Sequence, residues 1–262
     1  MLIDFHTHCL PEKIAEKALA KLSFASGGLT PFTNGTLPSL KSLMEKQGVD
    51  ISVVLNIATN EKQQQSVNDF AASINGGNII SFGSVFPDSE NVLDELDRIK
   101  SLGLKGVKPH PDYQGFFVDD EKMIPIYKKI SSLGLITVFH AGSDYGFAPP
   151  YGATPERMAK ALKHFDSPVI AAHWGGVGCG EGVLKYLCGK DIYFDTSFGY
   201  STMPKYYAEK IIEAHSTDKI LFGTDCPWHT AEMELRLLGS LELSQTDTDK
   251  ITHINAQKLL GL

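Results

Sequence analysis

Eight short apolar runs alternate with eight longer amphipathic stretches from one end of the chain to the other, and few folds accept that rhythm. The strand-like runs cover 2–5, 51–57, 79–85, 103–108, 135–139, 168–172, 192–195 and 220–223. Helical periodicity covers 37–47, 61–75, 89–102, 120–133, 154–165, 180–188, 204–215 and 231–239. Runs such as SVVLNI and ITVFH lack polar alternation, as expected of parallel strands covered on both faces. Thr154-Pro155 reads as a helix start and Asp119-Asp120 as another, while Leu102-Gly103 and Leu133-Gly134 read as helix ends that feed the next strand. The predicted fold is α/β, a (β/α)8 TIM barrel. An open doubly wound sheet is the alternative, weakened because no G-x-G-x-x-G follows the first strand. With 262 residues and no linker or low-complexity tract, residues 1–262 are expected to form a single domain. Loops at 24–36 and 142–152 are expected on the C-terminal rim, and one or two short helices at 248–260 should close the chain.

In a strand, residues i and i+2 share a face, so His6 and His8 can aim together into a barrel as a metal pincer. Alone the pair is a cheap signal: nine histidines yield about 0.3 such pairs by chance, so the match needs context. His140 after LITVF, His173 after VIAA and Asp225 after ILFGT supply it, each just beyond an apolar strand, where a barrel presents its active face. His110, in VKPHP, contacts substrate, binds a second metal, or makes a rim turn. Lys108 on the same strand reads as an active-site cation, a carboxylated bridge between two metals, or an ordinary buried and paired lysine. His229 in DCPWH is a candidate for the rim. His164 and His215 fall near helix ends, and His253 belongs to the closing helices.

A formal net charge of -7 argues against nucleic acid or an anionic membrane as partner. No apolar run approaches the roughly 20 residues that span a bilayer. The start, MLIDFHTHCLPEK, lacks the basic and apolar regions of a signal peptide. Cys9, Cys179, Cys188 and Cys226 show neither zinc-knuckle nor disulfide spacing and read as reduced thiols, so a cytoplasmic location is expected.

His-x-His on the first strand, then HAG, AHWGG and FGTDCPW at the ends of strands five, six and eight, resembles the amidohydrolase superfamily. More narrowly the chain is similar to the branch containing aminocarboxymuconate semialdehyde decarboxylase, with further matches in GVKPHPDYQGF, YFDTSFG and ITHINAQKLLGL. The resemblance runs from Ile3 to Leu262. It implies that His6, His8, His140 and Asp225 contact one or two divalent ions, most often zinc, and that Asp225 also orients or deprotonates water. It implies for His173 a catalytic acid/base role, a substrate contact, or ligation of a second metal. A homodimer is the family habit. Two departures bear on substrate: the region after strand one is short beside the longer decarboxylases, and Arg98, Arg157 and Arg236 all fall in helices.

The leading expectation is hydrolysis of a small amide, lactone or ester, since a bound ion lowers the pKa of water from 15.7 toward about 7. Asp225 would take the proton and His173 would steady the oxyanion. The alternative is a metal-dependent decarboxylase or hydratase acting on a small unsaturated acid, which needs the same ligands. A phosphodiesterase fits less well, because no acidic ligand ends strand four. A barrel that only binds a metal or metabolite is the non-enzymatic alternative.

Overall fold

All eight predicted strands form, and all pair in parallel. In the computed structural model, which describes residues 1–262, they are β1 (Ile3–Thr7), β2 (Ile51–Leu55), β3 (Ile79–Phe82), β4 (Gly106–Val107), β5 (Ile136–Phe139), β6 (Val169–Ala171), β7 (Tyr193–Asp195) and β8 (Ile220–Leu221). Ladders run β1-β2-β3 and β4-β5-β6-β7-β8. Two seams join them into a TIM barrel. At one, Gly83 N donates to Gly106 O and Lys108 N to Gly83 O, both 2.9 Å. At the other, Phe5 N donates to Phe222 O and Asp225 N to His6 O, both 2.8 Å. The β4 strand is short at the first seam, and Gly106 permits its approach: a Cβ there would lie 2.3 Å from the Phe82 ring.

Two apolar layers follow from strand alternation. Val54, Val107, Phe139, Ala171, Phe194 and Ile220 face outward into the main core beneath the helices. Ile3, Phe5, Val53, Leu55, Ile80, Phe82, Ile136, Val138, Ile170, Ala172 and Leu221 fill the barrel interior. Ala256 and Leu260, from helix Asn255–Leu260, plug its floor. Water is thereby excluded below the site, and polar residues further along the same strands face the C-terminal mouth.

The helices start and stop largely where local chemistry predicts. Leu37–Gln47 and Ala231–Gly239 match the expected bounds, and Thr154 Oγ1 caps Pro155–Ala161 by accepting from Arg157 N. Gly103 and Gly134 take φ of 76° and 62°, as left-handed helix ends require. Three helices were not expected: the single turns Pro111–Gln114 and Gly199–Thr202, and the longer Glu12–Ala25, directly after β1. The longer one buries only Ala15 and Leu19 and begins after Pro11 without a capping side chain, so both of the usual signals are weak. The chain closes through Gln245–Asp249, a π-helical turn at Lys250–Ile254 and Asn255–Leu260. No helix is long and apolar enough to cross a membrane, and all four cysteines are free thiols.

Candidate active site

Counting by twos along the strands explains most of the site. Ile136 and Val138 point inward, and so does His140; Leu221 points inward, then Gly223 and Asp225; Gly106 is followed by Lys108 and His110. Two positions break the count. On β1, Phe5 and His6 both face the interior, because the register with β2 shifts between Asp4 and Thr7. On β6, Ala172 faces inward and His173 should face out, but its φ of 60° swings it back. Asp225 has φ of 69°. Left-handed backbone at a histidine and an aspartate is strain of the kind concentrated at functional sites.

His6 Nε2 and His8 Nε2 lie 3.2 Å apart, and Asp225 Oδ1 is 3.2 Å from the first and 3.1 Å from the second. His8 Nδ1 faces the Leu55 carbonyl at 2.7 Å, and His6 Nδ1 faces Asp195 Oδ2 at 2.8 Å. Both partners can only accept, so each Nδ1 carries the proton and each Nε2 of a neutral ring presents a lone pair. With both rings neutral three acceptors converge, and a shared proton or a metal cation between them relieves the repulsion. A tetrahedral ion with bonds of 2.0–2.1 Å needs donors roughly 3.3 Å apart, so the triangle fits a zinc-sized divalent ion. Burial, the largest influence on each, would raise the Asp225 carboxyl, yet His6 and His8 hold it well below the usual range. Burial lowers His8; it opposes His6, which is raised overall by Asp195 and Asp225.

The other candidates surround this triangle. His173 Nε2 is 3.0 Å from His140 Nδ1, and its ring centroid is 5.0 Å from that of His6. His140 is therefore beside the triangle rather than among its three donors; its Nε2 faces Ser143 O at 3.2 Å. His110 stacks on His140 at 4.3 Å, and Asp144 Oδ2 lies 3.4 Å from His110 and 3.8 Å from His140, forming one of two further possible cation-binding clusters, the other being His6, His173 and Asp195. Burial pushes His110 and His140 well below the ordinary imidazole value and takes His173 to about 4. His110 also precedes the short helix Pro111–Gln114 and so makes a rim turn while facing the site. Lys108 is 1% exposed and its Nζ has no hydrogen-bond partner within the protein, unlike an ordinary buried and paired lysine.

Sequence reasoning missed two carboxylates and a serine. Asp195, fully buried at the end of β7, accepts from His6, from His173 N (2.9 Å) and from Ser197 N (3.1 Å). Its signal was present, a polar residue ending an apolar strand in the register of the others. Ser197 Oγ lies 2.8 Å from His173 Nδ1 and 3.0 Å from His6 Nδ1, so it bridges the two imidazoles. Asp144 sits on the loop after β5, where no period marks it.

His229 is buried at the rim, with Nδ1 2.5 Å from Glu234 Oε1 and Nε2 2.8 Å from Ser201 Oγ. It ties the loop after β8 to the loop after β7. Burial raises the Glu234 carboxyl from 4.5 to about 7. A carboxyl raised on folding contributes most below its unfolded pKa and loses that contribution as pH rises through the folded value. The stability of the native protein minus that of Glu234→Gln is therefore expected to fall between pH 4.5 and 7, by at most about 3 kcal/mol. Urea unfolding of both proteins at pH 5 and pH 8 reads this directly; a difference independent of pH contradicts it.

A search of curated protein sequences finds no match. Among solved structures, a 2,6-dihydroxybenzoate decarboxylase in complex with 2,6-dihydroxybenzoate is similar at 16% identity and TM-score 0.75, over 100% of this chain and 99% of that one. An uncharacterised TIM-barrel protein from Bordetella bronchiseptica matches at 18% identity and TM-score 0.78, over 99% and 98%. A dihydroxybenzoic acid decarboxylase from Polaromonas sp., with bound manganese and the inhibitor 2-nitroresorcinol, matches at 16% identity and TM-score 0.73, over 100% and 97%. Residues 3–262 match the family described as amidohydrolase, and the chain belongs to that family of enzymes.

Proposed function

We propose that this protein is a metal-dependent lyase acting on a small aromatic or unsaturated carboxylic acid, with decarboxylation as its reaction. The observation that carries the metal dependence is the triangle of acceptors at His6, His8 and Asp225. The reaction type is supported by the fold's likeness to two decarboxylases, one with bound manganese. Aromatic side chains at the mouth suit a flat substrate: Tyr113 packs on Phe147 at 4.9 Å, and Tyr145 lies 5.9 Å from Phe198. Zinc and manganese both suit the mixed imidazole and carboxylate donors. Strained backbone at His173 and Asp225 favours catalysis over mere binding.

His6, His8 and Asp225 would hold a divalent ion, which would supply positive charge to orient the acid and to stabilise the electron pair left on loss of carbon dioxide. His173 is the proton carrier. Burial favours its neutral imidazole, and the negative charge of a bound acid would shift it toward the protonated form. The protonated ring then delivers its proton to the substrate carbon as the bond to the carboxylate breaks. His140, 3.0 Å away, passes in a replacement proton from water at the mouth. The closed floor keeps bulk water from the reacting carbon.

Hydrolysis of an amide, lactone or ester, which the motifs alone put first, is the second reading. It draws on the same donors, and it is favoured by the low pKa of Asp225, an ionised base beside the cation. Protein loaded with zinc or manganese should release carbon dioxide from some member of a hydroxybenzoate and unsaturated-acid panel. Chelation should lower that rate at least about 100-fold, and added metal should restore it. Metal-dependent cleavage of amides or lactones with no carbon dioxide from any acid would replace the lyase reading with the hydrolase one.

A further inference from the structure

We propose that Lys108 is the anion anchor of this site, its ammonium pairing with the carboxylate of a small organic acid bound beside the His6–His8–Asp225 triangle. The inference rests on the preceding reading for the acid class of substrate only; it adds the residue that recognises it.

The placement of Lys108 follows from strand alternation. Val107 packs outward in the main core, so Lys108 faces the barrel interior, one step above Gly106 and the Phe82 ring. No other lysine or arginine is buried in the molecule. Its Nζ makes no hydrogen bond, and neither Asp195 nor Asp225 comes within ion-pair distance of it. An ammonium without a partner is costly in such a place, and a fold retains one where something absent completes it. Its charge is felt at His6, His8, His110, His140 and His173, which places it centrally among the imidazoles. Burial brings it down to about 8, so the ammonium persists at neutral pH.

The rest of the chain offers no substitute. There are three arginines. Arg98 pairs with Glu95 and Asp69, Arg236 with Glu232, and Arg157 with Asp119 while lying 4.0 Å over the Phe117 ring. A second cationic contact besides the metal would fix the orientation of a planar acid, and Lys108 is the one buried lysine or arginine placed to give it.

Benzoate and its neutral isostere benzamide are the probes, with product analysis run alongside to establish that neither is turned over during the titration. Calorimetry on the zinc-loaded protein is expected to show benzoate binding at least tenfold more tightly than benzamide. In Lys108→Met the preference should collapse to within about twofold at unchanged zinc content, and Lys108→Gln should behave alike. A crystal structure of the unaltered protein with benzoate gives a readout free of variants: Lys108 Nζ should lie at hydrogen-bond distance from a carboxylate oxygen. A preference retained in both variants overturns the proposal, as does no preference in the unaltered protein, or a bound benzoate that leaves Nζ unpaired. Tenfold activation by bicarbonate with loss of zinc in both variants also overturns it, because Lys108 would then be a carboxylated ligand. Failure of the lyase reading looks different: benzoate still binds through Lys108, and no acid yields carbon dioxide.

Discussion

Asp225→Asn is expected to lower turnover by about 10³-fold or more and to weaken metal binding sharply, while leaving the protein folded. The carboxylate is the only negative member of the three-donor triangle, with Oδ1 3.1 Å from His8 Nε2 and 3.2 Å from His6 Nε2. The amide keeps the shape and one oxygen but loses the charge that binds a cation and the lone pairs that take up a proton. The backbone should tolerate the change, because φ at this position is 69° and asparagine adopts left-handed geometry more readily than most residues. Because His6 and His8 hold the Asp225 carboxylate ionised, removing its charge should lower the metal-free melting temperature modestly. Metal content by mass spectrometry, turnover and thermal melts of the apo and loaded forms test the three parts separately. Turnover within tenfold of the native protein would exclude Asp225 from the chemistry.

What was legible in the sequence divides along physical lines. The barrel was legible because burial on both faces writes near-continuous apolar runs, and eight of them recur between amphipathic stretches. His140 and Asp225 were legible as inward residues because strands β5 and β8 keep their alternation to the end, whereas Lys108 and His110 stayed open between the site and the rim. The His6–His8 pair was legible as a pair, but its orientation was not, because the register shift on β1 depends on pairing with β2. Helix Glu12–Ala25 stayed hidden because it buries little and lacks a capping side chain. Asp144 stayed hidden because loop positions have no period. Whether His140 joins the triangle is likewise a matter of side-chain rotation: its Nδ1 faces His173 here, and no spacing rule encodes that choice. The reaction was least legible, since hydrolysis and decarboxylation ask for the same donors and differ in what binds above them.

Asp195→Asn is expected to cost about 10²-fold or more in metal affinity and 10²–10⁴-fold in turnover, although Asp195 lies outside the acceptor triangle. Its two oxygens have different duties. Oδ1 receives the backbone N–H groups of His173 and Ser197 at 2.9 and 3.1 Å, together with the Ser197 hydroxyl. Oδ2 receives His6 Nδ1 at 2.8 Å. In the asparagine variant the single oxygen must stay with the two backbone donors, since turning the amide would break both bonds at about 1–3 kcal/mol each. The NH2 group is then aimed at His6 Nδ1, donor against donor. The imidazole escapes by moving its proton to Nε2, the atom that faces His8 and Asp225. A proton there occupies the lone pair a metal needs, so a residue outside the triangle would control whether an ion binds within it. Nitrogen-15 shifts of His6 should report Nδ1–H in the metal-free native protein and Nε2–H in the variant, and zinc titration should show the affinity loss. Metal affinity within threefold of native would mean that His6 is oriented by Ser197 instead, whose Oγ lies 3.0 Å from the same nitrogen.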